Sequence, residues 1–435
     1  MKRKQFIKNA ALTAAGSMVM PYILPTGRLF AASGTRRAGH VVVCLFAGGV
    51  RNTESMGKAD GNLMRNTLNG TESISADIAP GVTQLPMLAS TPLQNEATLF
   101  KEFRYAEGPT GHYNAHAAAM TGVYSDQSIQ LKQPPPFPTI FEYYRKHNSP
   151  TNNALNAWWV SNSLGPYPFL NYSSYEGYGA AYGANMIQPD AFFSQANSLG
   201  NPVSFAQSEK AKCDMMRDFA NGQFKVPQQA ISSGIVNSPA DAERLQTFLN
   251  RTMTDIRNGV FPQNPWGVTP YMTGDMKNIY LGIEVLKEFK PELTVINMTD
   301  IDIGHFDYTK YVNAIGIADY AMYKLWQAIK ADDVLKNDTV LIVVPEHGRN
   351  ELPNSVVDAY GRKALDHNND AKSREIFCLL AGTGIKHNTV IGLDNQNNGI
   401  GQSIDLVPTI ANILGFDTDI PGGLLNGRVL NEAYS

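Results

Sequence analysis

Cysteine is nearly absent from the 435 residues: only Cys44, Cys213 and Cys378 occur. Three thiols cannot build a disulfide framework. Cys44 and Cys378 each lie inside an apolar run and read as small core residues. A basic surplus is missing too, since 36 Lys and Arg stand against 39 Asp and Glu, a formal net charge of −3. That excludes nucleic acid as the main partner, because neutralising phosphates needs excess positive charge. Charge of either sign is scarce, 17 % of residues against about 25 % in average soluble domains. With 43 % apolar and 10 % aromatic residues, the chain can bury a large core and is unlike a disordered protein. No glycine fingerprint for a nucleotide is present. Residues 40–49 (HVVVCLFAGG) end a strand-like run in two glycines but lack the G-x-G-x-x-G spacing.

The N-terminus is read as an address. A basic start (Lys2, Arg3, Lys4, Lys8) precedes an apolar stretch over 10–24, and small residues follow at Ala31, Ala32 and Ser33. That order predicts a secretory signal over residues 1–32, cleaved near 31–33. The apolar stretch holds Gly16 and Pro21 and falls short of the ~20 residues a spanning helix needs. Residues 3–8 (RKQFIK) resemble a twin-arginine (Tat) signal with Lys for one Arg. The expectation is export to the periplasm or beyond, with no transmembrane segment in the mature protein.

Four nearly continuous apolar runs, 40–47, 293–298, 339–344 and 375–380, have strand length. Such runs suit strands buried on both faces, as in a parallel sheet covered by helices. Residues 98–103 and 155–160 are weaker candidates. Apolar residues at three-to-four spacing predict helices over 239–259 and 308–331, and a short one over 403–415 that stops at Gly415. Strands alternating with helices predict an α/β sandwich, here one domain over 33–435. Residues 161–193, rich in Tyr, Gly, Asn and Ser, read as an ordered insertion on its surface, a structural piece or a substrate wall.

Only eight histidines occur, and three lie beside strand-like runs among carboxylates. The 293–298 run leads into Asp300, Asp302 and His305. The 339–344 run leads into Glu346, His347 and Arg349. Asp366 and His367 precede the 375–380 run. In an open α/β sheet, ligands bind beyond the carboxyl ends of the strands. Imidazole and carboxylate together suit zinc or manganese better than calcium or magnesium. A second piece runs from Gly108 through Thr110, Gly111, His112 and His116 to Gly122. There a glycine-rich turn opens a helix of small residues, whose N-terminus favours an anion. His112 and His116, four apart, can share one face.

In this order the pieces resemble the alkaline phosphatase superfamily of phosphatases, phosphodiesterases and sulfatases. The matching segments are Thr121-Gly122, Asp302…Gly304-His305, Glu346-His347-Gly348, His367, and Asp405-x-x-Pro408-Thr409 with Leu414-Gly415, spread over roughly 40–416. Gly48-Gly49, Gly111-His112, Glu346-x-Gly348-Arg349 and Asp366-His367 place it nearest a poorly characterised exported bacterial branch. The departures are specific. Ala47 stands where strand one should carry an Asp, His112 stands at the usual Ser or Thr nucleophile position, and Glu346 replaces an Asp. Asp302 sits one residue closer to His305 than usual, which makes Asp300 a rival ligand.

The resemblance implies an alkaline-phosphatase-like αβα sandwich with a mostly parallel central sheet. It implies an exported metal-dependent hydrolase of phosphate or sulfate esters, taking an anionic small-molecule or glycan ester. Asp302, His305 and His367 would hold one divalent ion, zinc or manganese. Glu346, His347 and His112 would hold a second or orient water, and Arg349 could clamp an anionic oxygen. Thr110, Thr53 and Ser55 are substitute nucleophiles. The preferred reading is water activated by metal, which can lower its pKa to about 7, with His112 as ligand or anion contact and Glu346 as ligand or base. The alternative is a non-catalytic exported protein that retains a metal site.

Overall fold

A computed structural model describes residues 34–125, 134–148, 153–162, 170–190, 192–193, 235, 237–258, 264–368 and 370–435. The expected export signal lies outside the described residues. In chain order the larger elements are β1 (His40–Phe46), β2 (Ala97–Arg104), α1 (His112–Thr121), α2 (Ile140–His147), β3 (Ala157–Ser161), β4 (Asn185–Ile187), α3 (Pro239–Arg257), α4 (Gly274–Phe289), β5 (Leu293–Met298), α5 (Tyr308–Ala331), β6 (Thr339–Pro345), β7 (Glu375–Gly382), β8 (Thr389–Ile391) and α6 (Leu406–Leu414).

The eight strands form one sheet in the order β4-β3-β5-β1-β6-β7-β2-β8. The expected α/β class with a mostly parallel sheet is what the chain adopts. Only the pairings of β7, with β6 and with β2, are antiparallel. The apolar run of β7 suggested a parallel strand. Burial on both faces makes a strand apolar whichever way it runs, so the run did not report direction.

Alternate residues of the central strands feed two separate cores. Val42, Cys44 and Phe46 of β1 join Ile296, Met298, Leu341 and Val343 on one face. Val41, Val43 and Leu45 join Val295, Val340, Ile342 and Val344 on the other. The first core takes the apolar stripes of α3, α4 and α5, through Leu245, Ile279 and Ile315. The second takes α1, α2 and α6, through Ala118, Phe141 and Ile410. Each fully buried aliphatic or aromatic side chain contributes about 1.5–3 kcal/mol.

Local signals fix the ends of these elements. α2 opens on a capping box between Thr139 and Glu142. α3 has Ser238 as its cap with Pro239 in the first turn. α1 and α6 stop at Gly122 and Gly415, both left-handed with φ of 74° and 80°. α4 escaped the sequence reading, as did the short edge strands β4 and β8. β4 falls within the 161–193 insertion, so that segment extends the sheet beside β3 rather than only lying on its surface.

Parallel neighbours β5, β1 and β6 all end at the same edge of the sheet. Because β7 is reversed, its entry lies at that edge too. The exit of β2 also lies there, since Arg104 pairs with Glu375. Five chain segments therefore converge on one place.

Candidate metal centre

The loop after β1 comes first. Ala47 donates its N–H to Met298 O at 2.7 Å and is buried. Gly48 and Gly49 follow with φ of 98° and 79°. A Cβ on Gly48 would lie 2.3 Å from Asp302 N, and one on Gly49 2.5 Å from His347 Nδ1. Both therefore have to be glycine. The Gly48 N–H donates to Glu346 Oε1.

The loop after β5 is a 3₁₀ turn, Asp300–His305. Asp300 and the α4 residue Asp275 cap one another. Asp275 Oδ1 accepts from Thr299 N at 2.6 Å and Asp300 N at 3.1 Å, while Asp300 Oδ2 accepts from Asp275 N at 2.9 Å. Asp300 is thus engaged with α4, and its carboxylate is not among those gathered with the histidines. That corrects the rival-ligand expectation: the one-residue offset is absorbed by the 3₁₀ turn, and Asp302 faces the cluster.

Two groups of ligating atoms result, and within each the atoms lie within 4.8 Å of one another. One is His112, Asp302, His305 and His367, and the other is His112, Glu346 and His347. In the outer group, Asp302 Oδ1 lies 3.1 Å from His112 Nε2 and 3.3 Å from His305 Nε2, which is 2.8 Å from His367 Nε2. In the inner group, Glu346 Oε1 lies 2.6 Å from His112 Nδ1 and 3.3 Å from His347 Nε2, with 3.4 Å between those nitrogens. Donors bound at about 2.0–2.1 Å to a tetrahedral ion stand about 3.3 Å apart. Most of the measured edges sit near that value. The donor set is imidazole and carboxylate, the chemistry of zinc and manganese sites. Glu346 is fully buried, and its second oxygen, Oε2, faces the His116 imidazole. The residues present fit a divalent ion.

Supporting contacts orient the ligands. His305 Nδ1 meets Asp366 Oδ1 at 2.7 Å, and Asn354 Nδ2 donates to that same oxygen at 2.9 Å. His367 Nδ1 donates to Thr110 O at 2.7 Å, which leaves Nε2 for the cluster. His347 Nδ1 donates to Gly348 O at 2.7 Å, with the same effect. Such partners set the tautomer and ring angle of metal-binding histidines.

Behind Glu346 lies His116, fully buried. Its Nδ1 donates to His112 O at 2.8 Å and forms a close ion pair with Glu346 Oε2. Its Nε2 meets Asn297 Oδ1 at 2.9 Å. The Asn297 amide is oriented by Ser161, whose hydroxyl donates to Asn162 O and accepts from Asn297 Nδ2. Both nitrogens of His116 therefore face acceptors.

Burial opposes charge on His112, but the Glu346 and Asp302 carboxylates outweigh it and push its pKa up to about 10. Burial opposes charge on His116 as well, but Glu346, helped by Asn297 and the His112 carbonyl, raises its pKa. Burial would raise Asp302 and Glu346, yet the surrounding imidazoles hold both well below the usual carboxylate range. Burial pushes His347 down. Burial, then the nearby His112 and Arg349, push His367 down to about 4. His347 and His367 are thus neutral and ready to ligate at neutral pH.

Two further expectations need correction. Arg349 is completely buried. Its guanidinium donates to Gly49 O, Leu365 O, Ile301 O and Asp302 Oδ1 at 2.5–3.2 Å. It ties three loops together and has no face for a substrate anion. The Thr110 hydroxyl is buried and donates to the His367 carbonyl, and the Ser55 hydroxyl donates to Arg51 O at 3.0 Å. These hydroxyls are spent on backbone.

Sequence reasoning missed the supporting roles of His116, Asn297 and Asn354. Asn297 carries the one legible signal, an amide inside the apolar run of β5. Asp366 was visible only as half of a motif.

The class this defines is an α/β sandwich with a histidine–carboxylate cluster at the carboxyl edge of its sheet. No family model matches the chain, and no curated protein matches it. Among solved structures it is similar to an alkaline phosphatase superfamily protein from Vibrio parahaemolyticus, at 13 % identity and a TM-score of 0.48, over 100 % of this chain and 80 % of that one. It is also similar to BT1596, a 2-O GAG sulfatase, at 9 % identity and 0.47 over 90 % and 73 %. A third similarity is to the alkaline phosphatase PafA, at 10 % and 0.47 over 93 % and 100 %. Likeness at this level carries none of the chemistry, which has to come from the site itself.

Proposed function

We propose that this protein is an exported, metal-dependent hydrolase of phosphate or sulfate esters, built as a divergent member of the alkaline phosphatase superfamily. The observation that carries the reading is the pair of ligand groups at the sheet edge where β5, β6 and β2 end and β7 begins, the edge at which an open α/β sheet binds its ligands. Asp302, His305 and His367 would hold one ion, and Glu346, His347 and His112 a second. Zinc or manganese there would polarise the ester and lower the pKa of water toward neutrality. The substrate is an anionic small-molecule or glycan ester. α1 supports this choice, because it begins at His112 and its cap, Gly111, places no side-chain acceptor over the first turn.

Water is the nucleophile in this reading, since His112 replaces the hydroxyl and Thr110 is engaged elsewhere. Glu346 acts as a ligand rather than a base, because the surrounding imidazoles hold its carboxylate well below the usual range and leave it little affinity for a proton. Among the described residues no helix is long and apolar enough to cross a membrane. Export then rests on residues 1–32, and mass spectrometry of the native protein should find a start near 32–34.

The decisive experiment measures bound metal, then screens aryl phosphates, phosphodiesters and aryl sulfates with that metal. Thr110→Ala should keep most of any hydrolysis found. A dead Thr110→Ala enzyme with full metal, or a trapped phospho- or sulfo-threonine, would overturn the water reading. The non-catalytic alternative draws on one observation, that Arg349 and Thr110 are both committed to backbone carbonyls. Full metal content with no hydrolysis across the panel would favour it.

A further inference from the structure

His112 belongs to both ligand groups, and it does so through different atoms. Its Nε2 faces Asp302 Oδ1 at 3.1 Å, on the outer side. Its Nδ1 faces Glu346 Oε1 at 2.6 Å and His347 Nε2 at 3.4 Å, on the inner side. The ring stands among those of the other cluster histidines, with centroids 4.5 Å from His367, 5.2 Å from His347 and 6.3 Å from His305. The backbone leaves it little choice of position. It is the first residue of α1, and its carbonyl oxygen is held by His116 at 2.8 Å.

A hydroxyl at this place could touch two ions through a single oxygen. An imidazole cannot, since each ring nitrogen has one in-plane lone pair and the two point away from each other. Here one ring nitrogen lies beside each ligand group, Nε2 by Asp302 and Nδ1 by Glu346 and His347. We infer that His112 is a bridging imidazolate, bound to the outer ion through Nε2 and to the inner ion through Nδ1. The inference rests on the metal reading given above and deepens it. It leaves the outer ion with four protein donors, a closed set, and the inner ion with three, one short of a tetrahedron.

The proton balance is simple. Any proton carried by a ring nitrogen of His112 leaves to solvent as a metal–nitrogen bond takes its place, so that imidazolate formation releases both N–H protons. No oxidant or reductant takes part.

Copper(II) is the probe, because it binds nitrogen and oxygen donor sets more tightly than zinc and carries an unpaired electron. The full chain is stripped with chelator, reloaded with copper(II), and its metal content and paramagnetic resonance spectrum are recorded together. The bridge predicts two copper ions per chain with coupled spins, so that signal intensity on cooling falls well below that of two isolated ions. His112→Ala and His112→Gln should abolish the coupling and lower the copper content, while His305→Ala should leave a single uncoupled ion. Two ions with full, uncoupled intensity in the unaltered protein would overturn the bridge and leave the two-ion reading standing. One ion per chain would overturn the bridge as well. No binding of copper, zinc or manganese would overturn the metal reading and the bridge with it. Because the unaltered protein alone separates these outcomes, the test survives a variant that does not fold.

Discussion

The inner and outer halves of the cluster are built from the same residue types but supported in opposite ways. Glu346 and His347 are fully buried. Their partners are Gly48 of the β1 loop, His116 of α1 and, through His116, Asn297 of β5. The side chains of Asp302 and His305 are about a quarter exposed. Their partners come from irregular segments: Asp366, Asn354, and the Thr110 carbonyl that holds His367. The inner half is therefore part of the core, and a change there disturbs folding and chemistry together. The outer half is set on loops, and a change there can remove metal while the fold stands.

The sharpest test of this contrast pairs one substitution from each half. Glu346→Ala should lose nearly all activity and also about 3–5 kcal/mol of stability, because it strands His112 and His116 without their carboxylate. His305→Ala should lose activity as fully but cost less than about 1 kcal/mol, as expected for a side chain on a partly exposed loop. Thermal unfolding of the metal-free proteins, beside metal analysis and kinetics, separates the two. Equal destabilisation would break the comparison.

Gly48→Ala probes the seam between the halves. A Cβ there meets the Asp302 backbone while the residue must keep a positive φ. The strain costs about 1–3 kcal/mol, and the displaced Asp302 should empty the outer half first. Metal content near one ion per chain, against two for the unaltered protein, is the expected result.

Asp366→Asn is milder. It weakens the contact that orients His305, and loss of such a supporting partner lowers metal affinity about 10–100-fold. Competition with a chelator measures it, and the fold should be unchanged.

The smallest effect is a pH profile in chelator. His367 has its pKa lowered to about 4 in the fold. Its contribution is present above the ordinary value of about 6.5 and is lost as pH falls through 4. His112 is raised to about 10. Its contribution is present below about 6.5 and is lost as pH rises through 10. The metal-free protein should therefore melt highest near pH 6–7. His112→Ala should flatten the alkaline limb and His367→Ala the acid limb.

The legible parts of the chain were those that local rules govern. β1, β5, β6 and α5 were read with nearly correct ends, because apolar runs and three-to-four spacing report burial directly. The glycine stops of α1 and α6 were readable because the left-handed cap excludes other residues. Arg349 was misread for a physical reason: a guanidinium beside carboxylates and histidines suits an anion clamp equally well from sequence. Its burial against three carbonyls comes from how the β1, β5 and 350–365 segments fold over one another. Asp300 and Asp302 likewise cannot be ranked by spacing, since a 3₁₀ turn rotates side chains differently from an α-helical one.

The sequence by itself determined the α/β class, the buried central strands and the supply of imidazole and carboxylate next to three of them. These follow from composition and period, which act within a few residues. Tertiary structure alone decided that β7 runs backward, and so that His367, on the segment entering it, reaches the same edge as residues that leave β5 and β6. It alone decided that His112 stands with one ring nitrogen toward each group, because that depends on the exit of β2 and the start of α1 being held against strands hundreds of residues away. Metal-site geometry is set by distances of a few tenths of an ångström between segments that share no local signal, so it appears only when the whole sheet is assembled.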